Sequence, residues 1–145
     1  MKANIKNILL VDDNENDVIL VKSALQGVHF GNKIIVAEDG EEALDFLYKR
    51  GKFIDNPIDL PIFILLDIKM PLMDGIEVLK IIRADTTFNN IPIIMLTSSR
   101  DSNDLQECYD HGANSFVVKP VDIADFIKVV KELGQYWVVI NEQPN

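Results

Sequence analysis

Short aliphatic runs alternate along this chain with longer stretches in which apolar residues recur every three or four positions. Five runs are apolar at successive positions and read as strands buried on both faces: Ile5–Val11, Lys33–Ala37, Pro61–Asp67, Pro92–Thr97 and Ser115–Lys119. The periodic stretches between them predict helices over Glu15–Gln26, Glu41–Arg50, Gly75–Arg83, Ser102–His111 and Ile123–Leu133. Capping signals agree. Asp39 precedes Gly-Glu-Glu, with Glu42 placed for a capping box, and Asp122 is placed as the N-cap of the last helix. Gly112 and Gly134 fall where a helix C-cap favours a residue free to adopt positive φ.

Alternating strands and helices of these lengths predict an α/β fold: a doubly wound, five-stranded parallel sheet with helices on both faces. One domain is expected over residues 1–134, with 135–145 as its C-terminal extension. Two segments exceed the minimal plan. Gly51–Leu60 is a long connection with turn-forming Asp55, Asn56 and Pro57. The tail carries Tyr136, Trp137, Val138, Val139 and Ile140, unusually apolar for a terminus.

At 145 residues, 48% hydrophobic and 26% charged, the chain has the size and composition of one soluble domain. No apolar run approaches the ~20 residues of a membrane span, and the acids that close the first apolar run exclude a signal peptide. Cys108 is the only cysteine, which excludes an internal disulfide or a Cys-rich zinc site and fits the cytoplasm. Fourteen Lys and Arg against 23 Asp and Glu leave a net charge of −9. Such a balance argues against nucleic-acid partners and repels phosphate, so any phosphate chemistry here calls for a metal ion.

Ligands of open parallel sheets bind at the carboxyl ends of the strands, and four strand ends here are polar. The first ends in Asp12-Asp13, the third in Asp67, the fourth in Thr97-Ser98 and the fifth in Lys119-Pro120. Singly, each has an ordinary role: Asp12 and Asp13 as helix caps, Asp67 as a turn residue, Thr97 as a strand-end threonine, Lys119 as a solvated cation. Together they place three carboxylates, a hydroxyl and an ammonium on one rim. Two carboxylates ~4 Å apart repel by about 4 kcal/mol at an effective dielectric of ~20. Three on one rim therefore invite a divalent cation, and all-oxygen ligands favour Mg²⁺. With that charge offset, an ionised Asp67 is a competent nucleophile toward phosphorus. Lys119 would supply a cation and Thr97 a donor to the transferred group.

The segments VDDNEND, LLDIKMPLMDG, IIMLTSS and FVVKP resemble, in order, the four motifs of CheY-like response-regulator receiver domains, and the likeness spans Ile5 to Leu133. The resemblance implies a flavodoxin-like (βα)5 fold with sheet order 2-1-3-4-5 and a role in a two-component phosphorelay. It implies Asp67 as phosphoacceptor, with Mg²⁺ held by Asp13, Asp67 and the main-chain carbonyl of Lys69, and with Asp12 acting directly or through a bridging water. It further implies Thr97 and Phe116 as a switch pair, Lys119 on the phosphoryl group and a cis Lys119–Pro120 bond. The long loop and the Tyr-Trp tail look like the regulators that partner cyanobacterial and bacterial phytochromes. A sensor histidine kinase is the expected partner, a phytochrome by that likeness, and a homodimer through the last helix and tail is expected. Output would pass through protein contacts, with no nucleic acid and no membrane involved.

The same chemistry exists in haloacid-dehalogenase-type phosphatases, but there the nucleophile comes first in the chain and is followed two residues later by a second Asp. Here the acidic pair comes first and Lys69 stands at that position. A flavodoxin-type electron carrier would need a phosphate-binding loop after the first strand, where this chain has Asp12-Asp13-Asn14-Glu15. His29 and His111 read as polar surface residues, and Met70, Met73 and Met95 as packing residues.

Overall fold

β1 (Asn7–Val11), β3 (Phe63–Leu66) and β4 (Ile93–Thr97) are buried along their whole length, as aliphatic runs must be when helices cover both faces of a sheet. The structure, a computed structural model, describes residues 7–26, 33–98, 101–119 and 122–140, and only the backbone of 138–140. β2 (Lys33–Ala37) and β5 (Ser115–Val118) complete a five-stranded parallel sheet in the order β2-β1-β3-β4-β5. The expected order is therefore the observed one. Burial on both faces holds only for the three inner strands. β2 and β5 are half-buried, with Lys33 exposed, because an edge strand has a neighbour on one side only.

Alternate residues of the inner strands serve two cores. Leu9, Val11, Ile64, Leu66, Ile93 and Met95 face α2 (Gly40–Tyr48), α3 (Gly75–Ala84) and α4 (Ser102–Asp110). Ile8, Leu10, Phe63, Leu65, Ile94 and Leu96 face α1 (Glu15–Gln26) and α5 (Ile123–Gly134). Each fully buried side chain of this kind contributes roughly 1.5–3 kcal/mol, so the sheet's register is fixed on both faces. Met70 and Met95 are buried and Met73 packs against the first core. Cys108 is wholly buried.

Helix ends follow local chemistry with three departures from the sequence reading. Asp39 caps α2 by accepting the Glu42 N–H at 2.7 Å, but the Glu42 carboxylate pairs with Lys52 Nζ at 2.7 Å, so only half of a capping box forms. α2 ends at Tyr48, earlier than expected, with Lys49 in the left-handed region at φ 53°. Gly112 has φ 93° after α4, as its position suggested. Gly134 is no cap: α5 runs through it into a π-helical segment, Gln135–Ile140. Asp122 caps α5 through the N–H groups of Ala124 and Asp125.

The long connection after α2 is fastened down. Gly51–Phe53 forms a 3-10 turn, and Phe53 sets its ring edge-on to Phe46 at 5.3 Å. Further on, Asn7 Nδ2 donates to the Asp59 carbonyl at 3.3 Å. Ile5, Lys6 and His29 lie outside the described residues, and His111 is exposed. Among the described residues no helix is long and apolar enough to cross a membrane.

Candidate metal centre and its lysine

The chain leaves β1 for β2 on one side and returns with β3 on the other, so the carboxyl ends of β1 and β3 flank the point where strand order reverses. Such a point opens a crevice, and the backbone ladder carries the acids into it. Asp12 N–H donates to the Ala37 carbonyl at 3.1 Å and Asp67 N–H to the Val11 carbonyl at 3.0 Å. Both acids thus sit one residue beyond their strands, where side chains reach the rim.

Neither Asp12 nor Asp13 caps α1. Asn14 does, its side-chain oxygen accepting the Asp17 N–H at 3.1 Å and its carbonyl the Val18 N–H at 3.0 Å. Asp12 Oδ1 accepts the Asn14 N–H at 2.9 Å, which orients its carboxylate. Asp12 and Asp67 are buried and Asp13 is exposed. Each of the three offers an oxygen, and these oxygens lie within 4.8 Å of one another. One small cation could contact all three, and their hard anionic oxygens suit Mg²⁺ or Mn²⁺. A cleft of about 440 Å³ opens beside them, lined by Asp12, Asp13, Val18, Ile19, Asp39 and Pro71 among others.

Lys119, just past β5, enters from the opposite side. Its backbone N–H donates to the Thr97 carbonyl at 2.7 Å, and its side chain is 10% exposed. Nζ lies 2.6 Å from Asp17 Oδ2, 3.1 Å from Asp12 Oδ2 and 3.6 Å from Asp67 Oδ2. Burial opposes the ammonium, but the bond to Asp17 and the charges of Asp67 and Asp12 outweigh it and raise the Lys119 pKa. Burial also raises both carboxyl groups. Asp12 is lifted despite its bonds to Asn14 and Lys119, and Asp67 is pushed up to about 6 despite the Lys119 charge.

The β3–α3 loop shapes the mouth. Lys69 is exposed two residues after Asp67, while Ile68 and Met70 turn inward. Met73 N–H bonds back to the Pro71 carbonyl at 2.8 Å around Leu72, whose φ is 69°. That three-residue turn is strained for a residue with a Cβ. Leu72 is 99% exposed. Asp74 caps α3 by accepting the Glu77 N–H at 2.9 Å.

Thr97 is completely buried at the end of β4. Phe116 pairs across the ladder with Met95, and its half-buried ring packs against the first core. Its N–H donates to the Tyr109 hydroxyl at 3.1 Å, tying β5 to α4. The structure brings Asp12, Asp13, Asp67 and Lys119 together at one rim. The sequence reading missed Asp17, the nearest partner of Lys119. The available signal was spacing: Asp17 lies one helical turn after Asp13, on the end of α1 that starts at the rim. The Lys119–Pro120 bond lies outside the described residues.

Residues 8–131 match the response regulator receiver domain. The chain belongs to that family. This receiver is 32% identical over 133 residues to the response regulator Rcp1 of Synechocystis sp., covering 92% of this chain and 89% of Rcp1. The Mn²⁺-bound structure of Rcp1 superposes with a TM-score of 0.90 at 31% identity, covering 97% of this chain and 99% of that one. The phosphorylated cyanobacterial phytochrome response regulator RcpA gives 0.91 at 30% identity with the same coverage. The bacteriophytochrome response regulator AtBRR is 42% identical, with a TM-score of 0.76, covering 97% of this chain and 100% of that one. As a receiver the protein serves two-component signalling, and the phosphatase alternative gains no support.

Proposed function

We propose that this receiver takes a phosphoryl group onto Asp67 in a Mg²⁺-dependent reaction, and that its donor is a histidine kinase of the phytochrome type. The observation that carries the reading is the convergence of the Asp12, Asp13 and Asp67 oxygens within 4.8 Å of one another, with Lys119 Nζ 3.6 Å from Asp67. Asp12, Asp13 and Asp67 would hold the cation, with the Lys69 main-chain carbonyl as a further ligand. The bound cation supplies positive charge that offsets the carboxylates and the incoming phosphoryl oxygens.

Burial raises the Asp67 carboxyl to about 6 in the metal-free protein, and a cation bound beside it would favour the ionised form. One of the Asp67 oxygens forms a bond to phosphorus as the phosphorus–nitrogen bond of a phosphohistidine breaks, the electron pair leaving with the imidazole. Lys119 pairs with the transferred group's oxygens, and the Thr97 hydroxyl donates to them. A shift of Thr97 toward the transferred group and a matching move of Phe116 would then alter the α4–β5–α5 surface. The Phe116–Tyr109 bond supports that coupling, because it joins the strand that carries Phe116 to α4. The phytochrome-type partner is supported by the likeness to the phytochrome response regulator RcpA and the bacteriophytochrome response regulator AtBRR. Residues 135–145 act as a C-terminal extension of the receiver, α5 and this tail build a homodimer, and the protein works in the cytoplasm.

Incubation with acetyl phosphate and Mg²⁺ tests the reading by intact mass. The native protein is expected to gain one phosphoryl group, Asp67→Asn none, and EDTA should stop the reaction. Robust labelling of Asp67→Asn would overturn the assignment.

A further inference from the structure

The ammonium of Lys119 is held off the acid it is meant to serve. Its Nζ makes its shortest contact, 2.6 Å, with Asp17 Oδ2, a full ångström shorter than the 3.6 Å to Asp67 Oδ2. A charge-assisted N–H···O bond is formed at about 2.7–2.9 Å, so the first distance is a strong bond and the second is not. Asp17 is well placed to hold on. It belongs to the first turn of α1, its N–H is bound by Asn14 Oδ1, and its side chain is only 23% exposed.

Asp17 also stands outside the group of acids that could share a cation, which comprises Asp12, Asp13 and Asp67. A cation drawing Asp12 and Asp67 toward itself would leave Asp17 as the carboxylate still free to keep Lys119. We propose that Asp17 is a positioning residue that competes with the phosphoryl group for Lys119 and so sets how tightly the site holds that group. The proposal rests on the phosphoacceptor reading of Asp67. In the unmodified protein Lys119 is parked on α1. When a phosphoryl group arrives, the ammonium must give up part of its bond to Asp17 to pair with the new oxygens. The parked state therefore acts as a restraint on the phosphorylated one.

The restraint differs from a general field effect, and that difference decides the test. Neutralising any acid near the rim favours an incoming anion somewhat. Glu15 lies on the same helical turn, is exposed and lines the cleft beside Asp12 and Asp13, so Glu15→Gln removes an equal charge without touching the Lys119 pair. Asp17→Glu keeps the charge and a carboxylate able to reach the ammonium.

The probe is beryllofluoride, an analogue of the phosphoryl group, titrated by ¹⁹F NMR at saturating Mg²⁺ into the full chain and these variants. Asp17→Asn is expected to bind about five- to tenfold more tightly than the native protein, the loss of one charge-assisted hydrogen bond. Glu15→Gln should change affinity less than about twofold at moderate salt, and Asp17→Glu should bind as the native protein does. A second readout needs no metal: the ¹³Cε and ¹⁵Nζ resonances of Lys119 in metal-free protein should move in Asp17→Asn and stay in place in Glu15→Gln. Asp17→Ser should repeat the Asp17→Asn result, which guards against a folding defect peculiar to one variant. Affinity unchanged or weakened in Asp17→Asn, or matched by Glu15→Gln, would overturn the proposal while leaving Asp67 as acceptor. A native protein that binds no beryllofluoride would take down both readings together.

Discussion

Gly75 lies so close to the Asp67 main chain that a Cβ added to it would overlap the Asp67 carbonyl oxygen and reach 2.9 Å from Ile68 Cα. Its N–H also donates to the Ile68 carbonyl at 2.9 Å. The start of α3 is therefore pressed against the residue proposed to take the phosphoryl group, and only a side chain of hydrogen permits the approach. Neither neighbour is a flexible side-chain end; both are backbone.

Gly75→Ala must consequently push the β3–α3 loop away from the strand end. Acetyl phosphate labelling of Asp67 is expected to fall more than tenfold, and urea unfolding should show a loss of about 1–3 kcal/mol, typical of forced overlap in a packed region. Labelling at the native rate would mean that the site tolerates a displaced loop.

Burial raises the Asp67 carboxyl to about 6 from an ordinary 3.8, and Asp12 moves the same way. An acid whose folded pKa is raised keeps its proton in the folded chain at pH values where the unfolded chain has lost it. Stability of the metal-free protein should therefore fall as pH rises from about 4 to about 6, and stay at the lower level above that window. Asp67→Asn removes the penalty. In EDTA at pH 7.5 it is expected to be more stable than the native protein by about 1–3 kcal/mol. Saturating Mg²⁺ should narrow or reverse the difference, because binding to the folded state favours the chain with its full ligand set. Thermal melts with and without EDTA measure both effects. A destabilised Asp67→Asn in EDTA would contradict the assignment of burial as the dominant cause.

Arg83 makes a structural prediction away from the site. Its guanidinium donates to the carbonyls of Gly112, Phe88 and Ile91 at 2.9, 3.0 and 2.7 Å, and to Asn114 Oδ1 at 2.9 Å. Asn114 Oδ1 in turn accepts the Ile93 N–H at 2.9 Å. One side chain thus ties α3 to the entry of β4 and the turn after α4, at the cost of burial that lowers its own pKa. Lysine has a single nitrogen and cannot fan out to four acceptors. Arg83→Lys is expected to lose about 2–4 kcal/mol in urea unfolding, from acceptors left without partners, with acetyl phosphate labelling retained in the folded fraction. A loss below ~0.5 kcal/mol would show that water replaces the clamp.

The strands and the rim were legible because each depends on a pattern or a chain end: aliphatic runs at Leu9–Val11 or Ile64–Leu66, and acids one residue beyond them. Asp17 and Arg83 were not, since each acts through a tertiary meeting. Lys119 is 102 residues from Asp17, and Arg83 reaches Asn114 across 31. Gly134 misled for a related reason. A glycine ends a helix when nothing else holds the chain, but here it is buried and α5 continues past it into Gln135–Ile140. Glu42 likewise had two uses, and Lys52, brought back by the 3-10 turn, took the carboxylate from the cap.

That continuation bears on association. Tyr136 and Trp137 are adjacent and set edge-on at 5.0 Å, yet they face different surroundings. Trp137 packs against the second core beside Leu133, while Tyr136 is 47% exposed. Trp137 therefore secures this segment to its own domain while Tyr136 stays exposed, and aromatic residues are enriched at interface centres. The side chains of Val138, Val139 and Ile140 lie outside the described residues. If α5 and the tail form the proposed homodimer, the two aromatic residues should separate in mutation. Tyr136→Ala is expected to shift the light-scattering mass from dimer toward monomer and leave the melting temperature of the monomer nearly unchanged. Trp137→Ala should cost about 3 kcal/mol or more of stability, as removal of a large packed ring does, whatever the oligomeric state. A native protein that is monomeric at tens of micromolar, with and without acetyl phosphate, would defeat the dimer and leave the tail as packing alone.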